Sequence, residues 1–278
     1  MLRIGIALGG GGAKGLAHIP MLEVLDELGI VPVQVAGTSI GAIIGALYCS
    51  GMSAKDIRAA VEELSLDECD GWLDALLIKH VREWLTLVSM DYGAGALLSA
   101  DRLLEKLAEA IQVKRFNDLQ IPLTVVAADF WKREQVAFDS GELLPAIRAS
   151  SALPGLVPAA VIDGQVLVDG GAVNPVPWDL LKGCDVTVAV NVIGKRTAAK
   201  DDLPKLSEAL FKTIQIMEQS IVAQKRELCP PDVYIEPDIR DIRALEFFKA
   251  PMIFEQSEPA ASKLRKQLEQ IIEDSPRH

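Results

Sequence analysis

Residues 3–17 read RIGIALGGGGAKGLA. A short buried-strand pattern, Arg3 to Leu8, runs into four glycines and then into a helical pattern from about Ala13 to Leu28. Ala17, Met21, Val24, Leu25 and Leu28 fall on one face of that helix. A strand, a glycine turn and a helix in this order open a unit of the kind that builds parallel sheets. Pro20 removes a backbone donor and would clash with the carbonyl of Leu16, so a kink or a late helix start is expected.

The pattern then repeats. Val33 to Ala36 reads as a second strand, Ile40 to Ser50 as a helix ending near Gly51, and Ser53 as the N-cap of a helix through Leu64. Residues 28–54 carry no charge and are long enough to cross a bilayer. Pro32, Gln34, Gly37, Thr38, Ser39, Gly41 and Gly45 interrupt them, which fits a buried strand, turn and helix better. Residues 66–98, with Trp72, Leu76, Leu77, Trp84 and Met90, read as an apolar, helix-tending insertion before a helix opening at Ser99 or Asp101. Strands follow at Pro122–Ala128 and Gln135–Phe138. A hairpin spans Ala160–Val168 and turns at Asp163-Gly164. Val186–Ile193 is β-rich, 194–204 a polar loop, Ser207–Leu228 an amphipathic helix with Leu210, Ile214, Met217 and Ile221 on one face, Val233–Ile235 a strand and Ser257–Glu273 a closing helix. With no break in composition, residues 1–278 read as one α/β domain with a mainly parallel sheet and C-terminal helices over 205–278.

Half of the 278 residues are apolar and 24% are charged, enough for a large core and against a disordered chain. The net charge is −11 and no basic run of four occurs, which argues against nucleic-acid binding and against a polybasic dock on anionic lipid. The N-terminus lacks the apolar core and cleavage site of a signal peptide. The four cysteines form no CxxC pair and read as reduced core thiols of a cytoplasmic protein. Three histidines with no cysteine cluster make a metal site unexpected.

Three glycine-marked sites carry the chemistry. Gly10, Gly12 and Gly15 satisfy GxGxxG. Such a loop can cradle a dinucleotide, hold a developing oxyanion, or simply turn the chain. No ribose-binding acid follows at the expected distance, and Leu16 and Ala17 stand where a phosphate-binding loop needs Lys and Ser/Thr. Gly37-Thr38-Ser39-Ile40-Gly41 is GxSxG between a strand and a helix, where a serine projects from a sharp turn or serves only as an N-cap. Asp169-Gly170-Gly171 ends a strand and is either a site acid or a surface turn. A Ser–His–Asp site needs a histidine. His278 alone follows the acid and is the last residue, His80 lies in the insertion, and His18 reads as packed or capping. A Ser39–Asp169 dyad is what remains.

Together, the glycine loop, GTSIG and DGG resemble the patatin-like phospholipases, in particular the bacterial branch akin to neuropathy target esterase. The likeness includes GLAHIPMLEVLDELGI after the first loop, Ser150-Ser151-Ala152-Leu153-Pro154-Gly155, and Asn174-Pro175-Val176-Pro177 after the acid, and so covers most of residues 3–193. The resemblance implies a three-layer α/β/α fold and a serine acyl hydrolase without metal or cofactor. Ser39 would be the nucleophile, Asp169 its base, and the amides of Gly10, Gly11, Gly12 and Ala13 the oxyanion hole. Lys14, Gly15, Gly37, Gly41, Gly170 and Gly171 would support them. Asp-Gly-Gly stands where many members have Asp-Gly-Ala. The implied substrate is a lipid carboxylic ester of the lysophospholipid or phospholipid class, with a thioester or a non-catalytic lipid binder as alternatives. Membrane contact would be transient and peripheral, and a homo-oligomer is compatible with the sequence. The 66–98 segment would cover Ser39 as a cap or belong to the core.

Overall fold

The computed structural model describes residues 2–66, 111, 113–154, 157–194 and 206–275. Residues 67–98 of the expected insertion, the helix expected after Ser99, His80, His278 and Cys69 lie outside the described residues.

Strand β1 (Ile4–Leu8) leads into a 3-10 turn (Gly12–Ala17) and helix α1 (His18–Glu27). The α-helix therefore starts late. Pro20 falls in its first turn, where the missing donor costs nothing. Strand β2 (Gln34–Thr38), α2 (Ile40–Cys49) and α3 (Ala54–Leu66) follow. Ser53 caps α3, accepting from the Asp56 amide at 3.1 Å. Then come β3 (Leu123–Asp129), β4 (Glu134–Phe138), α4 (Leu143–Ser150), β5 (Ala160–Ile162), β6 (Gln165–Asp169), β7 (Val186–Val190), α5 (Leu206–Leu228), β8 (Val233–Ile235) and α6 (Ala250–Asp274). Asp163 and Gly164 turn the β5–β6 hairpin at φ 49° and 78°. The sequence pattern assigns no helix to 143–150; two turns are too short to display a period. α6 begins seven residues before Ser257, whose hydroxyl donates back to the Ile253 carbonyl inside the helix at 2.6 Å and caps nothing.

The sheet runs β5-β6-β3-β2-β1-β7-β8, with β4 also on β3. Pairs β1–β2, β1–β7, β2–β3 and β7–β8 are parallel, and β3–β4, β3–β6 and β5–β6 antiparallel. Alternation sorts the two faces. Ile6, Leu8, Val35, Val188 and Val190 enter the large core with α1, α2, α3 and α6. Ala7, Ala36 and Ala189 point the other way, against Val176, Trp178, Leu181 and Val222 of α5. The result is a three-layer α/β/α sandwich. α5 keeps only part of its expected face: Leu210 and Met217 are exposed, while Ile214 looks onto a cavity together with Phe211, Gln215 and Glu218. Of the described cysteines only Cys49 is buried; Cys229 is exposed.

Candidate active site

Strand β3 assembles the site. One of its edges is covered by β4, and the other is shared by two strands placed end to end. β2 runs parallel along the first half and stops at Thr38, opposite Val126. β6 runs antiparallel along the second half and stops at Asp169, opposite Ala127. The chain leaves both strands at adjacent rungs of β3. Ser39 Oγ donates to Asp169 Oδ2 at 2.6 Å.

Ser39 has φ 55° and ψ −125°. A left-handed non-glycine residue in this region costs on the order of 1–3 kcal/mol and must be held by its surroundings. The Ser39 amide donates to Ser150 Oγ at 2.8 Å, and its carbonyl accepts the Ala42 amide at 2.9 Å. The two flanking glycines allow close approach. A β-carbon on Gly41 would lie 2.1 Å from the Leu8 carbonyl oxygen, and one on Gly37 would lie 2.6 Å from Ala42 Cα. Both obstacles are backbone.

Asp169 is buried. Its Oδ1 accepts the Gly171 amide at 2.7 Å. Burial pushes its carboxyl up to about 6, against the lowering pull of the hydrogen bonds from Ser39 and Gly171. It is therefore a stronger base than a free aspartate and still ionised at neutral pH. Gly170 lets the turn pass over β3, since a β-carbon there would meet the Val126 carbonyl oxygen at 2.2 Å.

The glycine loop closes the other side. Gly10, Gly11, Gly12, Ser39 and Asp169 line one cavity of about 90 Å³, walled by Ile40, Ile43, Leu153, Val157, Ile214 and Phe247 among others. Four loop amides were expected to face an oxyanion, and two of them are occupied. The Gly10 amide donates to the Pro175 carbonyl at 2.9 Å and that of Ala13 to the Ala244 carbonyl at 2.7 Å. Gly11 and Gly12 amides have no partner among the described residues. Gly11 caps and Gly12 opens the 3-10 turn that runs into α1, whose positive end lies behind them. Gly15 packs the turn onto α2: a β-carbon there would overlap Ile40.

Lys14 is buried, and its Nζ donates to the Ile193 carbonyl at 3.2 Å, fixing the loop to the segment that follows β7. Burial, and then the charge of Lys212, lower its pKa. His18 is fully buried and its Nε2 donates to the Gly9 carbonyl at 2.7 Å. Burial lowers it to about 4, so it is a neutral scaffold residue under the loop. Behind Asp169, Thr38 Oγ1 donates to the Asn174 carbonyl at 2.8 Å, and Lys225 Nζ donates to Asn174 Oδ1 at 2.7 Å and pairs with Asp179. Lys225 and Glu218, both on α5, were missed in the sequence, where a polar residue inside a helix face reads as solvated. No group of His, Cys, Asp and Glu among the described residues is arranged to hold a metal ion.

The family model described as "Patatin-like phospholipase" matches residues 6–182. An NTE family protein of Mycobacterium tuberculosis (strain H37Rv) is 33% identical over 208 residues, 74% of this chain and 53% of that protein. The neuropathy target esterase sws of Drosophila melanogaster is 31% identical over 202 residues, 72% of this chain and 13% of that protein. The chain thus spans about half the length of its mycobacterial relative. The crystal structure of VipD from Legionella pneumophila aligns with a TM-score of 0.49 at 18% identity, covering 94% of this chain and 67% of that one. A strained GxSxG serine bonded to the Asp-Gly-Gly acid lies within the matched region, and the chain belongs to the patatin-like phospholipase family.

Proposed function

We propose that the protein is a serine acyl hydrolase that cleaves lipid carboxylic esters of the lysophospholipid or phospholipid class through a Ser39–Asp169 dyad. The observation that carries this reading is the 2.6 Å hydrogen bond from Ser39 Oγ to a buried Asp169 at the foot of a largely apolar cavity. Ser39 Oγ attacks the ester carbonyl while its proton passes to Asp169 Oδ2. The oxyanion forms against the amides of Gly11 and Gly12; a good donor in such a hole is worth roughly 3–4 kcal/mol. Collapse breaks the C–O bond, and the proton on Asp169 passes to the leaving alkoxide. Water then attacks the acyl-serine and gives its proton to Asp169. The second collapse returns that proton to Ser39 and releases the fatty acid. The apolar wall supports an acyl chain as the group bound. No described helix is long and apolar enough to cross a membrane, which fits peripheral, transient contact with lipid.

The test combines hydrolysis of p-nitrophenyl esters of increasing chain length, and of the matching thioesters, with labelling by a fluorophosphonate. Folded Ser39→Ala and Asp169→Asn are each expected to lose about 10³-fold or more, and only a protein retaining Ser39 should take the label. A wild-type protein inert to all substrates and to the probe would instead support a non-catalytic acyl-ligand binder.

A further inference from the structure

The cavity over Ser39 holds two carboxyl groups, and the dyad uses one of them. Helix α5 carries Glu218 onto the turn that follows Asp169. Glu218 Oε1 lies 2.4 Å from the point that a β-carbon on Gly171 would occupy, and Asp169 Oδ1 lies 3.1 Å from the same point. The two carboxyls therefore converge on the residue whose amide donates to Asp169. A bare Cα at position 171 is what leaves room for the second one.

Glu218 has no hydrogen-bond partner and no paired cation among the described residues. Among the described residues, Asp169 and Glu218 are the only acidic or basic side chains lining the cavity there. The nearby elements contribute little else. Lys14, from the glycine loop, is spent on the Ile193 carbonyl. Lys225, on α5, is spent on Asn174, Val176 and Asp179. Lys212, also on α5, is exposed. The wall from α2, from Leu153 and Val157, and from Leu245 and Phe247 is apolar. Burial first, and the charge of Asp169 second, push the Glu218 carboxyl up to about 8. Glu218 is therefore the weaker acid of the two and holds its proton to higher pH than Asp169 does.

We propose that Glu218 is a positioning residue acting through Asp169: it keeps a proton beside the dyad in the resting site and, once ionised, strengthens Asp169 as acceptor of the Ser39 proton. This rests on the dyad reading above. In the attack step the O–H bond of Ser39 breaks, an O–H bond forms on Asp169, and the negative charge leaves Asp169 for the oxyanion at the glycine loop. An anion beside Asp169 favours that transfer, and a neutral acid there does not.

The experiment is the pH dependence of kcat/KM on a soluble p-nitrophenyl ester for wild type, Glu218→Gln and Gly171→Ala, with Ser39→Ala and Asp169→Asn alongside. Wild type should rise once as Asp169 ionises near 6 and again as Glu218 ionises near 8. The second rise should be roughly three- to tenfold, from the usual sensitivity of rate to base strength. Glu218→Gln should keep the first rise and lose the second. Gly171→Ala, which pushes the carboxyl away, should show a weaker second rise. A purely structural role would not remove one limb. An infrared difference spectrum of wild type minus Glu218→Gln at neutral pH should show the carbonyl band of a protonated carboxyl, and it reads out independently of turnover. A Glu218→Gln profile with both rises, or no such band, would overturn the proposal alone. Activity surviving in Ser39→Ala or Asp169→Asn would overturn the dyad reading beneath it.

Discussion

Ser39 and Asp169, separated by 130 positions in sequence, are joined by a 2.6 Å hydrogen bond because β2 and β6 end on adjacent rungs of one edge of β3. Ser39 follows a parallel strand and Asp169 ends an antiparallel one, so their turns meet face to face. The arrangement ties the basicity of Asp169 to its burial, and it makes the site costly to the fold.

That cost is measurable at Asp169. Its pKa is raised in the fold to about 6 from 3.8, so its contribution favours the folded state fully below the unfolded value and is lost as pH rises through about 6. Asp169→Asn removes the buried charge. The variant should be more stable than wild type at neutral pH by about 1–3 kcal/mol, while hydrolysing no ester. Thermal melts of both proteins should converge as pH is lowered through the interval between 6 and 3.8.

Gly41→Ala tests the elbow. The new methyl would meet the Leu8 carbonyl oxygen, at 2.1 Å, and the sheet backbone cannot rotate away. A loss of about 2–3 kcal/mol, at the upper end for overpacking, is expected. Urea denaturation measures it. Esterase activity should fall further than stability, since α2 must shift and carries Ser39 with it.

His18 titrates in the opposite sense to Asp169. Its folded pKa is depressed to about 4 from 6.5, so the stability it contributes is present above 6.5 and is lost as pH falls toward 4. His18→Gln keeps a donor for the Gly9 carbonyl and removes the titration. Between neutral pH and about pH 5, wild type should lose about 2 kcal/mol relative to this variant. Paired urea midpoints at the two pH values give the difference.

Lys225→Met separates anchoring from chemistry. It removes the Nζ contacts to Asn174 Oδ1 at 2.7 Å and to the Val176 carbonyl at 2.8 Å, and leaves Asp179 without its ammonium. The pair is partly exposed, so a stability loss of about 2 kcal/mol is expected rather than the larger cost of a fully buried one. The turn after Asp169 should loosen, and kcat should drop about tenfold with a smaller change in KM, as for a misplaced catalytic group. Steady-state kinetics beside a urea titration distinguish the two effects.

Short-range chemistry was legible in the sequence alone. RIGIALGGGG announces a strand breaking into a turn, GTSIG a serine on a tight elbow, and Asp163-Gly164 a hairpin, because each depends on the conformational freedom of a few neighbouring residues. That the small residues Ala7, Ala36 and Ala189 mark the sheet face toward α5 emerged only from the packed structure. Long-range placement was not legible. Nothing local tells β6 to run antiparallel to β3 and end against β2, since pairing partners and register are chosen by the whole sheet. The same reason hid the occupied amides of Gly10 and Ala13, whose acceptors Pro175 and Ala244 lie far along the chain. It also hid the polar part of the inward face of α5. A helical period locates apolar stripes, but Glu218 and Lys225 face inward because the site and the Asn174 turn receive them, and only the packed structure brings those partners to the helix.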